Sequence, residues 1–354
     1  MFLARLRPFE LPVRARRTMV WGLSASSAAV SALVWLTPVI WFGELLASFQ
    51  FHIGLFVLAV SGSLALLRAP RLAAAAALIG VLHVAPDLAL SMRSSAASAS
   101  PSSPALRVLS ANVLQPNRHF DEIAAALRAS DADVIGVLEL SGPMRAVLER
   151  ELSAWPHRVV ARPSKRFDDS RAYDKRVWTT ALFSKLPLED VRFVQVFDCY
   201  APLIEARVRA PEPVTLRLAH LPRPGERWRV EARNQALEQL AREFEWGPQS
   251  VLMGDLNLTS GSPAFGRLLG ATGLVDSRQG FGRCPSWWLR AAPGLRRAGA
   301  PGWLAALVDL RLGIAIDHVL HGAGLAVRTR EVIELPFSDH GGVLTELSCF
   351  SEQP

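Results

Sequence analysis

Asn112, Glu139, His220, Asp255, Asn257, Asp317, Asp339 and His340 share one placement: each stands at or just beyond the end of an apolar run. Asn112 closes RVLSANV, Glu139 closes ADVIGVLEL, and His220 closes VTLRLAHL. Asp255 and Asn257 follow SVLM in MGDLNLTSGSP, Asp317 lies in GIAIDHVLHG, and Asp339-His340 precede GGVLTEL. One polar residue at a strand end is ordinarily a cap or a turn former. Carboxylates, carboxamides and imidazoles gathered at successive strand ends describe something else: a site built along one sheet edge, able to hold an ion and move protons.

The elements that must position these groups follow from periodicity. From Leu106 the chain alternates strand-like and helix-like pieces. RVLSANV and ADVIGVLEL read as strands, and Phe120–Ala129 between them has helical spacing. WTTALFSKLPL reads as a strand and turn, VTLRLAHL and QSVLMGDLNL as strands, and Arg227–Phe244 as an amphipathic helix. GIAIDHVLHG and GGVLTEL complete the pattern. Within GIAIDHVLHG, alternation turns His318 to the face opposite Asp317, which makes it a packing residue. His119 and His321 read as solvated turn residues.

Residues 1–92 differ in composition from the rest. Three apolar stretches, 19–42, 51–67 and 72–90, fill this quarter, and a membrane span needs roughly 20 such residues. The apolar content continues too far for a cleaved signal. Arg5, Arg7, Arg14, Arg16 and Arg17 precede the first stretch, and Arg68 and Arg71 separate the second from the third. Positive charge marks the cytoplasmic side, so three crossings would place the remainder on the outer face. Two crossings would leave it in the cytoplasm. RSSAASASPSSP (93–104) is a Ser/Ala/Pro linker, and residues 105–354 form the soluble domain. The net charge of +7, from 39 Lys+Arg against 32 Asp+Glu, suits an anionic partner without choosing one. Cys199, Cys284 and Cys349 are spaced too widely for a CxxC metal site; one disulfide or three free thiols both fit.

In order, Asn112, Glu139, the LAHLP around His220, the GDLN of Asp255 and Asn257, the IDH of Asp317, and Ser338-Asp339-His340 resemble the motifs of the endonuclease/exonuclease/phosphatase superfamily. The anchor and linker are similar to those of its membrane-anchored bacterial members. The resemblance covers 106 to about 348 and implies a four-layer α/β/β/α sandwich, two mixed sheets flanked by helices, with Mg²⁺ or Mn²⁺ as cofactor. It implies that Glu139 is the primary metal ligand, with Asn112 and Asp339 completing the shell, since hard cations prefer oxygen donors. His340 would activate water or hold phosphate, oriented by Asp317. Asp255 would handle the proton of the attacking water, Asn257 would donate to a phosphoryl oxygen, and His220 would protonate the leaving group or stabilise an oxyanion.

Three positions depart from the family pattern. Leu138 stands where a Gln is common and Leu114 where some nucleases carry an acid, which weakens the case for a dedicated nuclease. Gly341-Gly342 replace a residue and a Pro, and are expected to loosen the backbone after His340. Residues 278–314 form an insertion-like stretch rich in Arg and Trp. With Arg223, Trp287 and Trp288 are candidate contacts to an amphiphilic phosphate; base stacking and core packing are the competing readings. A basic segment, 158–176, reads as a solvated loop at the same rim. The expected activity is metal-dependent hydrolysis of a phosphate ester, phosphodiester or pyrophosphate on a small-molecule or lipid substrate at the membrane. A surface nuclease acting on nucleic acid and a non-catalytic protein retaining the fold are the alternatives.

Overall fold

The computed structural model describes residues 12–37, 39–93, 105–161, 179–197, 199, 201–288 and 313–349. Residues 94–104 of the linker, most of the basic segment, and 289–312 of the Arg/Trp stretch lie outside them. The chain divides into two compact units, Met1–Pro86 and Asp87–Pro354.

The first unit is helical: α1 (Val13–Trp35), the short α2 (Gly43–Ser48), α3 (Gln50–Leu66) and most of α4 (Pro70–Met92). Val34, Val57, Leu64, Ala73 and Ala76 form its core. Gly54 and Gly80 let α3 and α4 approach closely: a Cβ on Gly54 would stand 3.0 Å from the Gly80 carbonyl. α1 and α4 are long and apolar enough to cross a membrane. α3, at 17 residues, is shorter. The first helix starts earlier than the apolar stretch predicts and includes Arg14, Arg16 and Arg17.

The second unit continues with β1 (Ala105–Asn112), α5 (Phe120–Ala129), β2 (Val134–Leu140), α6 (Gly142–Glu151), β3 (His157–Val160), β4 (Thr179–Ser184), β5 (Leu188–Val194), β6 (Leu203–Val208) and β7 (Val214–His220). Then come α7 (Arg227–Glu243), β8 (Ser250–Asp255), α8 (Pro263–Thr272), β9 (Val275–Asp276), β10 (Trp287–Trp288), β11 (Gly313–Ile314), β12 (Asp317–His321), β13 (Leu325–Glu334) and β14 (Gly341–Cys349). One six-stranded sheet has the order β13-β14-β1-β2-β4-β3, the other β5-β6-β7-β8-β12-β9. Both mix parallel pairs (β1/β2, β7/β8) with antiparallel ones.

Side-chain alternation builds the layers. Val108, Leu138, Leu182, Leu216, Met253 and Val319 meet between the sheets. Ile123, Leu127, Met144 and Leu148 of α5 and α6 cover the outer face of the first sheet, against Leu109, Ile135 and Phe183. Ala236, Leu237, Leu240 and Leu268 of α7 and α8 cover the second. The result is the expected α/β/β/α sandwich. Leu138 is therefore a core residue: its side chain belongs to the layer between the sheets, and a Gln there would bury an amide among aliphatics.

His321 corrects one expectation. It is buried, because β12 is paired on both sides, and its Nδ1 lies 2.9 Å from the Gly322 carbonyl. His318 packs as predicted, against Phe265, with Nε2 donating to Leu258 O; burial pushes it down to about 4. Asp276 and Arg278 form a buried pair at 2.6 Å. Burial alone would raise the carboxyl, but Arg278 outweighs it and holds Asp276 well below the usual range. Such a carboxylate stabilises the fold at neutral pH and loses that contribution as acid protonates it. Arg278→Met should lower stability by about 3–5 kcal/mol at pH 7 by leaving a buried charge unpaired. The gap to wild type should narrow as pH falls through the carboxylate range, which denaturant unfolding at several pH values would show.

Candidate active site

The polar residues singled out in the sequence converge where the ends of β1, β2, β7, β8 and β12 and the turn before β14 come together. Parallel pairing sets Asn112 beside Leu138 and His220 beside Asp255, and antiparallel pairing sets Asp317 opposite Asp255.

Glu139 reaches the site through a distortion. The β2–β4 register shifts between Val137 and Leu140, and Glu139 takes φ 56°, a left-handed conformation that costs a non-glycine residue about 1 kcal/mol or more. Its carboxylate is held at both oxygens: Oε1 accepts from Asn112 Nδ2 at 3.2 Å and Oε2 from the Gln115 backbone N–H at 3.0 Å. Asn112 also donates to Asp255 Oδ2 at 3.1 Å, so one fully buried carboxamide bridges two carboxylates.

GDLN is a built turn. Gly254 has φ 141°, and a Cβ there would stand 1.8 Å from the Ala219 carbonyl oxygen. Gly254→Ala should therefore cost about 2–4 kcal/mol, read as a lowered unfolding temperature. Asp255 Oδ1 accepts from the Asn257 N–H, and Asn257, at φ 52°, donates through Nδ2 to Leu221 O. Beneath the turn, the fully buried Arg233 of α7 donates to Asn257 O at 2.9 Å. Sequence reasoning missed Arg233 because a cation on an amphipathic helix reads as solvated.

His340 is held by a buried carboxylate. Nδ1 lies 2.9 Å from Asp317 Oδ2, and Asp317 is completely buried. Burial alone would depress the imidazolium, but Asp317, with Asp255 and Asp339 beyond, outweighs it and pushes His340 up to about 10. Nε2 faces Asp255 Oδ2 at 3.9 Å and Asp339 Oδ1 at 4.0 Å. His220 Nε2 lies 3.7 Å from Asp255 Oδ2 and 3.9 Å from Glu139 Oε1, and burial lowers its pKa against the pull of Glu139. Asp255 is raised well above the usual carboxylate range, first by burial and then by Asp317.

Gly341 and Gly342 do not loosen His340. Both pair with β13, and a Cβ on Gly341 would stand 2.5 Å from Val332 Cγ1 and 2.8 Å from Trp288 Cη2. They are small because β13 and Trp288 pack against them. Ser338 fixes the same turn, donating to Asn112 O at 2.8 Å and accepting from His340 N. Ser286, unmarked in the sequence reading, accepts at Oγ from the Ile316 and Asp317 N–H groups.

Arg223 stands exposed on the loop after His220 and makes none of these hydrogen bonds. Trp287 donates through Nε1 to Asp339 Oδ2 at 3.0 Å, and Trp288 N–H donates to Asp339 O. His119 is half-exposed, stacked on Phe337.

The residues fit a divalent cation. Asp317 Oδ1 and Asp339 Oδ1 are buried without a hydrogen-bond partner among the described residues, and four carboxylates crowd a largely water-excluded site. Asp255, Asp317 and His340 offer ligand atoms within 4.8 Å of one another. Such a set of oxygen donors with an imidazole matches a hard ion.

The chain matches the model of the Endonuclease/Exonuclease/phosphatase family over residues 108–340, about two thirds of its length. It belongs to that family. This makes it a metal-dependent hydrolase of phosphoester bonds. Among solved structures, an endonuclease/exonuclease/phosphatase from Beutenbergia cavernae is similar over 70% of this chain and 72% of its own, with 20% identity and a TM-score of 0.52. D. rerio TDP2 complexed with single-strand DNA product (16% identity, 69% and 99% covered, TM-score 0.51) shares the fold. So does the 3'-5' exonuclease NExo from Neisseria meningitidis (18%, 70% and 100%, 0.51). A comparison with curated sequences returns no match.

Proposed function

We propose that this family member is a membrane-anchored phosphoesterase that hydrolyses a phosphate ester, phosphodiester or pyrophosphate of a membrane-associated substrate. The observation that carries the reading is the pair of long apolar helices, Val13–Trp35 and Pro70–Met92, preceding the family domain in one chain. Counting Gln50–Leu66 as a third crossing, and with arginines marking the cytoplasmic ends, the catalytic unit faces outward.

The cofactor in this reading is Mg²⁺ or Mn²⁺, held by Glu139, Asn112 and Asp339, and it would neutralise phosphoryl charge. The chain's own groups supply the rest. His340, fixed by Asp317, presents Nε2 to the substrate phosphate or its attacking water. Asp255 is the proton acceptor for that water: its raised pKa suits a base that must later release the proton. Asn257 has one amide hydrogen committed to Leu221 O, which leaves the other for a phosphoryl oxygen. His220, next to Glu139 and Asp255, serves the leaving oxygen. Arg223, exposed beside this corner, and the Trp287–Trp288 strand flank the substrate entrance.

A surface nuclease is the second reading, favoured by the fold shared with the TDP2–DNA complex and with NExo. Full-length protein with Mg²⁺, offered vesicles carrying phosphorylated lipids in parallel with plasmid and single-stranded DNA, separates the two. Faster phosphate release from lipid supports the proposal, and faster DNA degradation reverses it. A C-terminal reporter active only in the cytoplasm would overturn the outward orientation.

A further inference from the structure

Trp287 and Trp288 are adjacent but differ in what their indoles meet. Trp287 Nε1–H donates to Asp339 Oδ2 at 3.0 Å. Trp288 Nε1 is buried and meets no acceptor among the described residues. The strand that carries them is stitched to the His340 turn by backbone. Trp288 N donates to Asp339 O at 3.1 Å, Gly341 N donates to Ser286 O at 2.7 Å, and Trp287 bridges to His340. Through this stitching Trp287 arrives at Asp339 from a fixed direction.

The other oxygen of that carboxylate tells the rest. Asp339 Oδ1 is buried, has no hydrogen-bond partner among the described residues, and lies 4.0 Å from His340 Nε2. A carboxylate pinned at one oxygen and bare at the other is oriented for a ligand on the bare side. An indole suits the pinning task because it is a donor only and cannot reverse its role. We propose that Trp287 is a positioning residue for the metal centre: its indole N–H holds Asp339 so that Oδ1 faces the ion. The inference rests on the reading of Asp339 as a ligand. It assigns Trp287 a different task from substrate contact, and the two tasks leave different marks. Loss of a substrate contact raises KM. Loss of a group that orients a ligand weakens metal affinity, typically 10–100-fold.

The test is calorimetric titration of EDTA-stripped full-length protein with Mn²⁺ in the absence of substrate. Trp287→Phe, which keeps the ring and drops the donor, should raise the metal Kd about tenfold or more. Its KM for a phosphodiester at saturating metal should stay at the wild-type value. Trp288→Phe should leave the metal Kd unchanged. Asp339→Asn should weaken metal binding at least as much as Trp287→Phe, and adding Trp287→Phe to it should cost little more, since the two act through one contact. If Trp287→Phe does not fold, a benzothienylalanine at position 287 replaces only the N–H with sulfur, and the same loss is expected. Unchanged affinity in Asp339→Asn removes the ligand reading and the inference with it. A loss in Asp339→Asn with none in Trp287→Phe, or equal losses in Trp287→Phe and Trp288→Phe, overturns the inference alone.

Discussion

Glu139→Gln is expected to lower metal-dependent turnover by about 10³-fold or more, the equivalent of about 4 kcal/mol of barrier. The change keeps the shape and removes one charge. Glutamine offers a single oxygen, so either Asn112 Nδ2 or the Gln115 N–H keeps its acceptor and the other loses it; the remaining bond still ties down the bulge. What is lost is the charge that offsets a divalent cation. In the metal-free protein the lost bond, about 1 kcal/mol, is offset by relief of repulsion, because Glu139 shares its surroundings with Asp255. An unfolding temperature without metal that stays level or rises, beside a collapse of activity, marks Glu139 as functional. A fall in both would make it a structural residue.

Asp317→Asn should reduce kcat by about 10³–10⁴-fold with little change in fold, because an amide in place of this carboxylate selects the wrong imidazole tautomer. In wild type Asp317 Oδ2 accepts from His340 Nδ1. With a neutral ring, an asparagine can offer an N–H there instead, which turns Nδ1 into the acceptor and leaves the ring's single proton on Nε2, the atom facing the site; with a charged ring it removes the carboxylate that balances the imidazolium. The same change alters ionisation. His340 in the metal-free protein holds its proton up to about pH 10, because Asp317 overrides burial. Without that charge burial dominates and the imidazolium is lost at lower pH. Nitrogen-15 NMR of metal-free protein at pH 8 should find a charged His340 in wild type and a neutral one in Asp317→Asn. A charged ring in both would remove Asp317 as its partner.

Much of this site is legible in the sequence. Asn112, Glu139, His220 and Asp255 stand at the C-terminal ends of apolar strands, and Asp317 and His340 at the start of two others, so the pattern located them along one edge. The layers followed too, because buried parallel strands such as VIGVLEL and flanking amphipathic helices leave a strong periodic signal. The supports were not legible. Arg233 looks solvated from its helix, yet it lies beneath Asn257. Ser286 and Gln115 act through a hydroxyl and a backbone N–H, and neither residue type announces such a task. Gly341 read as slack because composition cannot show that Val332 and Trp288 stand where its Cβ would be. His321 read as solvated because pairing with β9 needs a strand of two residues, too short to leave a pattern.

The most direct test of the site is p-nitrophenol release from bis(p-nitrophenyl) phosphate by EDTA-stripped full-length protein as Mg²⁺ is restored. The rate should rise to saturation with Mg²⁺ in wild type and remain about 10³-fold lower at every concentration in Glu139→Gln. A rate indifferent to Mg²⁺, or equal in the two proteins, would contradict a metal-dependent phosphoester hydrolase built on Glu139, Asp255, Asp317 and His340.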